Sequence, residues 1–173
     1  MTVNDLDSGY WHVPVHKDSW QYLGVHFIED DGSVTFWTWR VLVLGIIDAT
    51  NIFTRLLAPL IAKLRSEGIR GLIYIDDLFL TAATKQLAHE HSKRAFELFA
   101  WCGWTFNQTK SSGEPLQVVR FLGLDIDSRD LSFNIPENKL REIRKMLGKL
   151  KNRGVHAVHV KQLAKAVGTL QSL

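Results

Sequence analysis

Two adjacent carboxylates, Asp76 and Asp77, interrupt an otherwise apolar stretch at residues 72–80. Short apolar runs predict buried strands, and two runs joined by two turn-forming residues predict a β-hairpin with the carboxylates at its tip. Like charges side by side resist burial unless a cation neutralises them. Mg²⁺ is commonly held by one or two carboxylates together with substrate phosphates. The stretch therefore indicates a divalent-metal site, whereas an Asp-Asp pair without such flanks is more often an exposed turn.

A further carboxylate lies near the start of the chain, where Asp5 precedes a Ser-Gly turn and the aromatic Tyr10. Asp7 lies on the same face of an extended strand as Asp5, so geometry alone leaves either one as a metal ligand. Two-metal phosphoryl chemistry needs carboxylates from distant parts of a chain to hold two ions about 4 Å apart. Asp5 paired with Asp76 would meet that requirement.

Tyr-Ile-Asp-Asp at residues 74–77 resembles the aromatic-x-Asp-Asp hairpin of reverse transcriptases. Asp5 followed five residues later by Tyr10 resembles the first carboxylate motif of that family, and this spacing favours Asp5 over Asp7. The resemblance implies nucleotidyl transfer from a dNTP to a primer 3′-hydroxyl, with two Mg²⁺ ions, or Mn²⁺ in their place. The implied catalytic and metal-binding residues are Asp5, Asp76 and Asp77.

The same resemblance implies contacts to nucleotide and nucleic acid. Tyr10 would lie under the incoming sugar, Gly45 would form the glycine turn before a helix, and Lys110 would approach the leaving pyrophosphate. Phe121-Leu122-Gly123 resembles the primer-grip hairpin, and the basic helix that follows resembles the start of a thumb. The implied primer and template contacts are Phe121, Leu122, Gly123, Arg144, Lys145 and Lys149.

Five motifs occur in the family's order. The sequence at residues 12–15, 51–54 and 58–60 is similar to that of retrotransposon enzymes of the tyrosine-recombinase (DIRS-type) lineage. Several residues depart from the family's pattern. Ser8 and Gly9 replace a common Asp and a common Ala, and Val43 and Thr50 replace two prolines around the glycine turn. Gly9 predicts added backbone freedom before Tyr10.

The pattern of elements predicts an α+β fold, a polymerase palm with an antiparallel sheet and helices on one face, followed by a short helical thumb. Apolar periodicity predicts helices from about residue 48 to 68 and 84 to 102, then two basic amphipathic helices with Gly154 between them. A hairpin is predicted over residues 20–28 and 34–43, with Trp37 and Trp39 as sheet packing. The expected domains are a palm at 1–135 and the thumb start at 136–173.

Composition and charge limit the binding partners and the cellular location that we expect. The net charge of +3 conceals an asymmetry, because residues 137–173 carry nine Lys or Arg against two Glu, which favours a polyanion partner. The single Cys102 excludes an internal disulfide and is expected to be packed in the core. The chain has no long apolar run and no signal-peptide pattern, so we expect an intracellular protein, cytoplasmic or nuclear, without a membrane partner.

The expected function is an RNA-directed DNA polymerase domain acting on a primed RNA or DNA template with dNTPs. The resemblance begins at the first carboxylate motif, so fingers and an RNase H region are expected from the remainder of a parent polyprotein. Two alternatives stay open: a catalytically inactive nucleic-acid-binding remnant of a retroelement, and a stretch that does not fold alone.

Overall fold

The computed structural model describes residues 1–152 and 160–171. The chain divides into an N-terminal unit, Met1–Leu116, and a C-terminal unit, Gln117–Leu173. Antiparallel strands and packed helices together confirm the predicted α+β class. The functional division after residue 135 stays a prediction.

The elements of the N-terminal unit alternate between short strands and two long helices. In chain order they are β1 (Thr2–Asp5), β2 (Gly24–Ile28), β3 (Val34–Thr38), α1 (Ala49–Ser66), β4 (Arg70–Tyr74), β5 (Asp77–Thr81) and α2 (Lys85–Trp101). Strands β1, β5 and β4 form one antiparallel sheet in that order, and β2 pairs with β3 in a separate two-stranded sheet. The sheet thus places the N-terminal strand beside the central hairpin.

The core of this unit lies between the three-stranded sheet and both helices. Phe53 and Leu57 of α1, Phe99 of α2 and Leu78 of β5 are fully buried. Each helix has a defined end, because Gly68 and Gly103 adopt the left-handed conformation that terminates helices. Thr84 caps α2 by accepting a hydrogen bond from the Leu87 amide at 3.1 Å. Asp48 holds the first position before α1 without a side-chain cap, so the cap predicted at Asp48 or Thr50 is wrong.

The β2–β3 hairpin corrects two predictions. Its first segment is shorter than expected, because Lys17–Tyr22 forms a 3₁₀ helix instead of strand. Trp37 is 63% exposed and Phe36 82% exposed, so Trp37 does not pack within a sheet. A two-stranded ribbon has no third strand to cover either face. Trp39 instead stacks on Trp11, with ring centroids 6.3 Å apart.

Apolar periodicity predicts a buried stripe of Leu87, His91, Ala95, Leu98 and Cys102 for α2. The structure buries Ala88, Ser92, Ala95 and Phe99, so of the predicted stripe only Ala95 is buried. The helix packs against β5 and α1. Cys102 follows the helix end and is exposed, so its predicted place in the core is wrong.

The C-terminal unit contains a second antiparallel sheet and two helices. They are β6 (Val118–Phe121), β7 (Leu124–Asp127), β8 (Ser132–Asn134), α3 (Glu137–Asn152) and α4 (Val160–Gln171). Ile143 of α3 and Ala166 of α4 are buried. Apolar periodicity predicts a buried stripe of Val160, Leu163, Val167 and Leu170 for α4, but all four side chains are exposed. The predicted break at Gly154 lies outside the described residues, and no described helix has the length and apolarity to cross a membrane.

Candidate active site

The carboxylate-bearing hairpin has its turn one residue earlier than predicted. Tyr74 of β4 pairs with Asp77 of β5, so the two loop residues are Ile75 and Asp76. Asp77 is the first strand residue, not part of the tip. Ile75 has φ of 55°, which is costly for a β-branched side chain and persists only where surrounding packing enforces it. That packing comes from the core, against which Ile75 lies.

Strand β1 brings the third carboxylate to the same end of the sheet. Asp5 is paired with Asp77 across β1 and β5, and the Leu6 amide donates to the Asp76 carbonyl at 2.9 Å. Lys110 completes the cluster, with its Nζ 3.6 Å from Asp5 Oδ2. The structure therefore gathers four of the predicted site residues, three acids and one lysine, at one place.

The pKa of Asp77 reports the electrostatic environment of this acidic cluster. Partial burial raises the pKa of its carboxyl, and the nearby charges of Asp76 and then Asp5 raise it further. The Lys110 ammonium acts in the opposite direction on the pKa of Asp77. Mutual repulsion of this kind makes a site attractive to added cations.

Asp7 is the alternative to Asp5 as a metal ligand, because side chains two residues apart lie on the same face of an extended strand. It lies beyond the end of β1, is exposed, and accepts a hydrogen bond from the Ser8 hydroxyl at 3.2 Å. The side chain of Asp5, by contrast, is only 16% exposed and faces Lys110. The structure therefore places Asp5, and not Asp7, in the acidic cluster.

The residues that hold Lys110 were not predicted from sequence. The resemblance implies a strand after α2 that ends in Lys110, but this segment has one bridge, between Phe106 and Leu6, and then turns. Asn107 Oδ1 accepts hydrogen bonds from the Thr109 amide at 3.0 Å and the Lys110 amide at 3.3 Å. Such an Asx turn competes with strand pairing. Asn at 107 was the available signal for it.

Tyr10 lies in a 3₁₀ turn, Gly9–His12, next to the start of α1. Its ring stacks on Phe53 with centroids 4.5 Å apart, and its hydroxyl donates to Thr50 at 3.1 Å. Gly9 is needed for contact, because a Cβ there would lie 2.6 Å from Phe53 Cζ. The Tyr10 side chain is thus held from two sides, and the added backbone freedom expected at Gly9 stays a prediction.

Gly45 lies in an exposed turn before α1 and has φ of 101°. That conformation favours glycine over any residue with a side chain. The turn is anchored upstream, where the Leu42 amide donates to the Val13 carbonyl at 2.8 Å.

The predicted primer-grip residues form the turn between β6 and β7. Phe121 pairs with Leu124, and the loop residues Leu122 and Gly123 both have positive φ, 49° and 81°. Two such residues make the type I′ turn that suits a tight hairpin. Phe121 is buried, whereas Leu122 is exposed, so only the turn itself presents an outward surface.

The predicted basic contacts of α3 separate into two groups. Arg144 lies 3.5 Å from Glu137 within the same helix. Lys145 and Lys149 instead line a groove of about 500 Å³ between α3 and α4, where Lys165 joins them from the other helix. We call this the lysine groove. Lys165 could not be assigned from sequence, because the pairing of the two helices was unknown.

Metal-binding capacity follows from donor chemistry. Asp5, Asp76 and Asp77 offer the hard oxygen ligands that Mg²⁺ and Mn²⁺ prefer, and the strand pairing sets Asp5 opposite Asp77. Across residues 1–152 and 160–171, no group of three His, Cys, Asp or Glu side chains is arranged to hold a metal ion. The fit of these acids to a divalent cation therefore rests on their donor chemistry and on the pairing of Asp5 with Asp77.

Comparison with known proteins decides the family. The profile described as "Reverse transcriptase (RNA-dependent DNA polymerase)" matches residues 1–126. This chain belongs to the reverse transcriptase family. The match covers the acidic cluster, Tyr10, Gly45 and Lys110, and it ends within β7.

Viral relatives agree with that family. The chain is 26% identical over 148 residues to Protein P of duck hepatitis B virus (isolate brown Shanghai duck S5), covering 85% of this chain and 18% of the viral protein. It is 33% identical over 82 residues to the Gag-Pol polyprotein of walleye dermal sarcoma virus, covering 47% of this chain and 4% of the polyprotein. The chain thus spans about a fifth or less of the length of these relatives.

Solved structures support the fold. The foamy viral protease-reverse transcriptase in complex with RNA/DNA hybrid has a TM-score of 0.75 and 20% identity, covering 97% of this chain and 20% of the viral chain. The same enzyme with dsDNA gives 0.74, also at 20% identity, covering 98% of this chain and 32% of that one. At this identity the likeness shows a reverse transcriptase fold.

Proposed function

We propose that this chain is the catalytic core of an RNA-directed DNA polymerase, which transfers a nucleotide from a dNTP to a primer 3′-hydroxyl. The observation that carries the proposal is the convergence of Asp5, Asp76 and Asp77 at one end of a rigid sheet, with Lys110 beside them. Phosphoryl transfer needs little from a protein besides positioning and charge stabilisation. Asp5 and Asp77 are strand residues, and strands hold side chains more precisely than loops do.

Asp5, Asp76 and Asp77 would hold two Mg²⁺ ions, with Mn²⁺ as the alternative. Such ions lower the pKa of an attacking hydroxyl and neutralise charge on the leaving phosphates. The chain itself supplies the acidic cluster and excludes solvent from part of it, because the Asp5 side chain is mostly buried.

The remaining site residues position the nucleotide. Tyr10 offers a ring that is fixed by Phe53 and Thr50, and a fixed ring under the sugar would exclude a 2′-hydroxyl. Lys110 offers an ammonium group near the acids, where it would stabilise the departing pyrophosphate. Gly45 would let the backbone approach the nucleotide closely.

The partners that we propose are a dNTP and a primed RNA or DNA template. The solved relatives are described as bound to RNA/DNA hybrid and to dsDNA. The lysine groove supports a polyanion contact on the C-terminal unit, and the Leu122–Gly123 turn would lie against the primer. An origin in a DIRS-type retrotransposon, the contribution of other polyprotein regions and an intracellular location remain predictions.

Primer extension on an RNA template, with dNTPs and Mg²⁺, tests the proposal. Asp76→Asn is expected to lower the extension rate by about a thousandfold or more, since metal-assisted charge stabilisation amounts to several kcal/mol. Asp7→Asn is the matched control, because it removes a carboxylate two residues from Asp5 but outside the cluster. Equal extension by wild type and Asp76→Asn would refute the proposal. Hybrid binding without extension, from a cooperatively melting wild type, would identify the non-catalytic alternative.

A further inference from the structure

The segment that carries Lys110 is tied to β1 on both sides of Asp5. The Asn107 amide donates to the Asp5 carbonyl at 2.8 Å, and the Asp5 amide donates to Ser111 Oγ at 3.1 Å. One residue pair further, the Val3 amide donates to Ser112 Oγ at 2.7 Å. These bonds fix the backbone of Lys110 relative to the strand that bears the carboxylate.

Asn107 then directs the turn. Its Oδ1 accepts hydrogen bonds from the amides of Thr109 and Lys110 and from the Thr109 hydroxyl, the last at 2.8 Å. One acceptor that holds three donors leaves the turn little freedom. The Lys110 side chain leaves this turn and reaches Asp5 Oδ2 at 3.6 Å. The pair is thus built by the fold and is not a chance meeting of two surface side chains.

The two partners differ in exposure. The side chain of Asp5 is 16% exposed, whereas that of Lys110 is 67% exposed. The ammonium therefore covers a largely buried carboxylate from the solvent side and can withdraw without disturbing the core. A flexible four-carbon stem allows such withdrawal at low cost.

We propose that Lys110 is an internal counter-ion that holds Asp5 until a divalent cation binds, and that cation binding displaces the ammonium from Asp5. The inference rests on the proposed function, because it assigns Asp5 as a metal ligand. Lys110 balances the acids when no cation is bound, and displacement frees it to meet the incoming triphosphate. Asn107 is the positioning residue that keeps the ammonium within reach in both states.

Competitive amine acylation with mass spectrometry tests the exchange on the whole chain, without nucleic acid or dNTP. Lys110 is expected to be acylated slowly in chelator and about two- to fivefold faster at saturating Mg²⁺, a range that matches the small free energy of an exposed ion pair. Lys85 is the internal control, because it pairs with Glu114 at 3.2 Å and is similarly exposed. Its rate should not change with Mg²⁺.

Substitutions at Asp5, Asn107 and Lys110 complete the test. Asp5→Asn should make Lys110 fast without any cation. Asn107→Ala should weaken its protection and Asn107→Asp, which keeps the acceptor oxygen, should restore it. Lys110→Met should bind Mn²⁺ about two- to fivefold more tightly by calorimetry, whereas Lys85→Met should not.

Slow, Mg²⁺-insensitive acylation of Lys110, or equal rates in wild type and Asp5→Asn, would overturn the proposal. Absence of Mn²⁺ binding in both wild type and Lys110→Met would do the same. Positive labelling without primer extension would confine the failure to the polymerase proposal.

Discussion

The environment of the acidic cluster disfavours the ionised form of Asp77. Its carboxyl has a pKa above the ordinary 3.8, because burial and the charges of Asp76 and Asp5 disfavour the ionised form. A raised pKa in the folded state means that the folded chain binds this proton more tightly than the unfolded chain does. Stability from this group is therefore present below the ordinary pKa and is lost as pH rises through the raised value.

Asp77→Asn removes that ionisation. We expect the variant to melt at a higher temperature than wild type at pH 7 without divalent cations, and the advantage to disappear as pH falls to about 4. Thermal unfolding followed by circular dichroism from pH 3 to 8, in chelator, measures it. Asp30→Asn, at the exposed β2–β3 tip, is the control. A stabilisation by Asp77→Asn that is equal at every pH would contradict the electrostatic explanation.

Gly9 leaves space for the neighbouring Phe53 ring because it has no Cβ. A Cβ at this position would lie 2.6 Å from Phe53 Cζ and 3.0 Å from Cε2, and Phe53 is fully buried and cannot yield freely. Gly9→Ala is therefore expected to destabilise the chain by about 1–3 kcal/mol, the usual cost of overpacking. Urea unfolding at pH 7 measures the loss.

A matched substitution separates contact from chain entropy. At Gly113 a Cβ meets nothing within 4 Å, so Gly113→Ala should be neutral or slightly stabilising. Phe53→Leu should reduce the cost of Gly9→Ala, because the smaller side chain makes room for the new methyl group. If Gly9→Ala cost the same in both backgrounds, the ring contact would not be its cause.

Among the elements, the two helices of the N-terminal unit are joined by one bidentate ion pair. Arg94 of α2 donates from Nε and Nη2 to the two carboxylate oxygens of Glu67, both at 2.7 Å. Lys63 of α1 adds a second cation at 3.2 Å. Arg94 first, and Lys63 to a smaller extent, lower the pKa of Glu67 from 4.5 to about 2.

A lowered pKa gives stability that is present above the ordinary value and lost as pH falls toward about 2. Glu67→Gln should therefore melt below wild type at pH 7, and the two proteins should converge between pH 4.5 and about 2. Arg94→Met should lower the melting temperature at pH 7 as well, and the double variant should lose less than the sum of both, because the two residues share one interaction. Fully additive losses would contradict the pairing.

The elements also show what sequence could and could not predict. Apolar runs around Asp76 and Asp77 predicted the hairpin correctly, because burial periodicity is local. The turn was misplaced by one residue because Ile75 adopts a conformation that its own preferences oppose. The contacts of Lys110 with Asp5 and of Lys165 with the groove depend on tertiary pairing. The exposed Trp37 depends on how many strands join its ribbon, which composition does not encode.

Over the whole molecule, charge is divided between the two ends of the sequence. Residues 137–173 hold nine Lys or Arg against two Glu, whereas residues 1–136 hold twelve against sixteen Asp or Glu. The lysine groove concentrates part of the positive charge, although Glu142 also lines it. Each lysine that neutralises a phosphate of duplex nucleic acid releases counterions, so binding weakens with salt.

Replacing Lys145, Lys149 and Lys165 with Ala is therefore expected to reduce the slope of log K against log salt for an RNA/DNA hybrid by about 2–3, at about 0.9 per phosphate contact. Fluorescence anisotropy from 50 to 300 mM NaCl measures the slope. Replacing Lys17, Arg55 and Lys93 of the N-terminal unit, which are exposed, removes the same net charge. A general field effect would change both slopes alike, whereas direct phosphate contacts change only the first. Neither triple substitution replaces a residue of the acidic cluster, so both variants keep the three carboxylates while their affinity for the duplex changes.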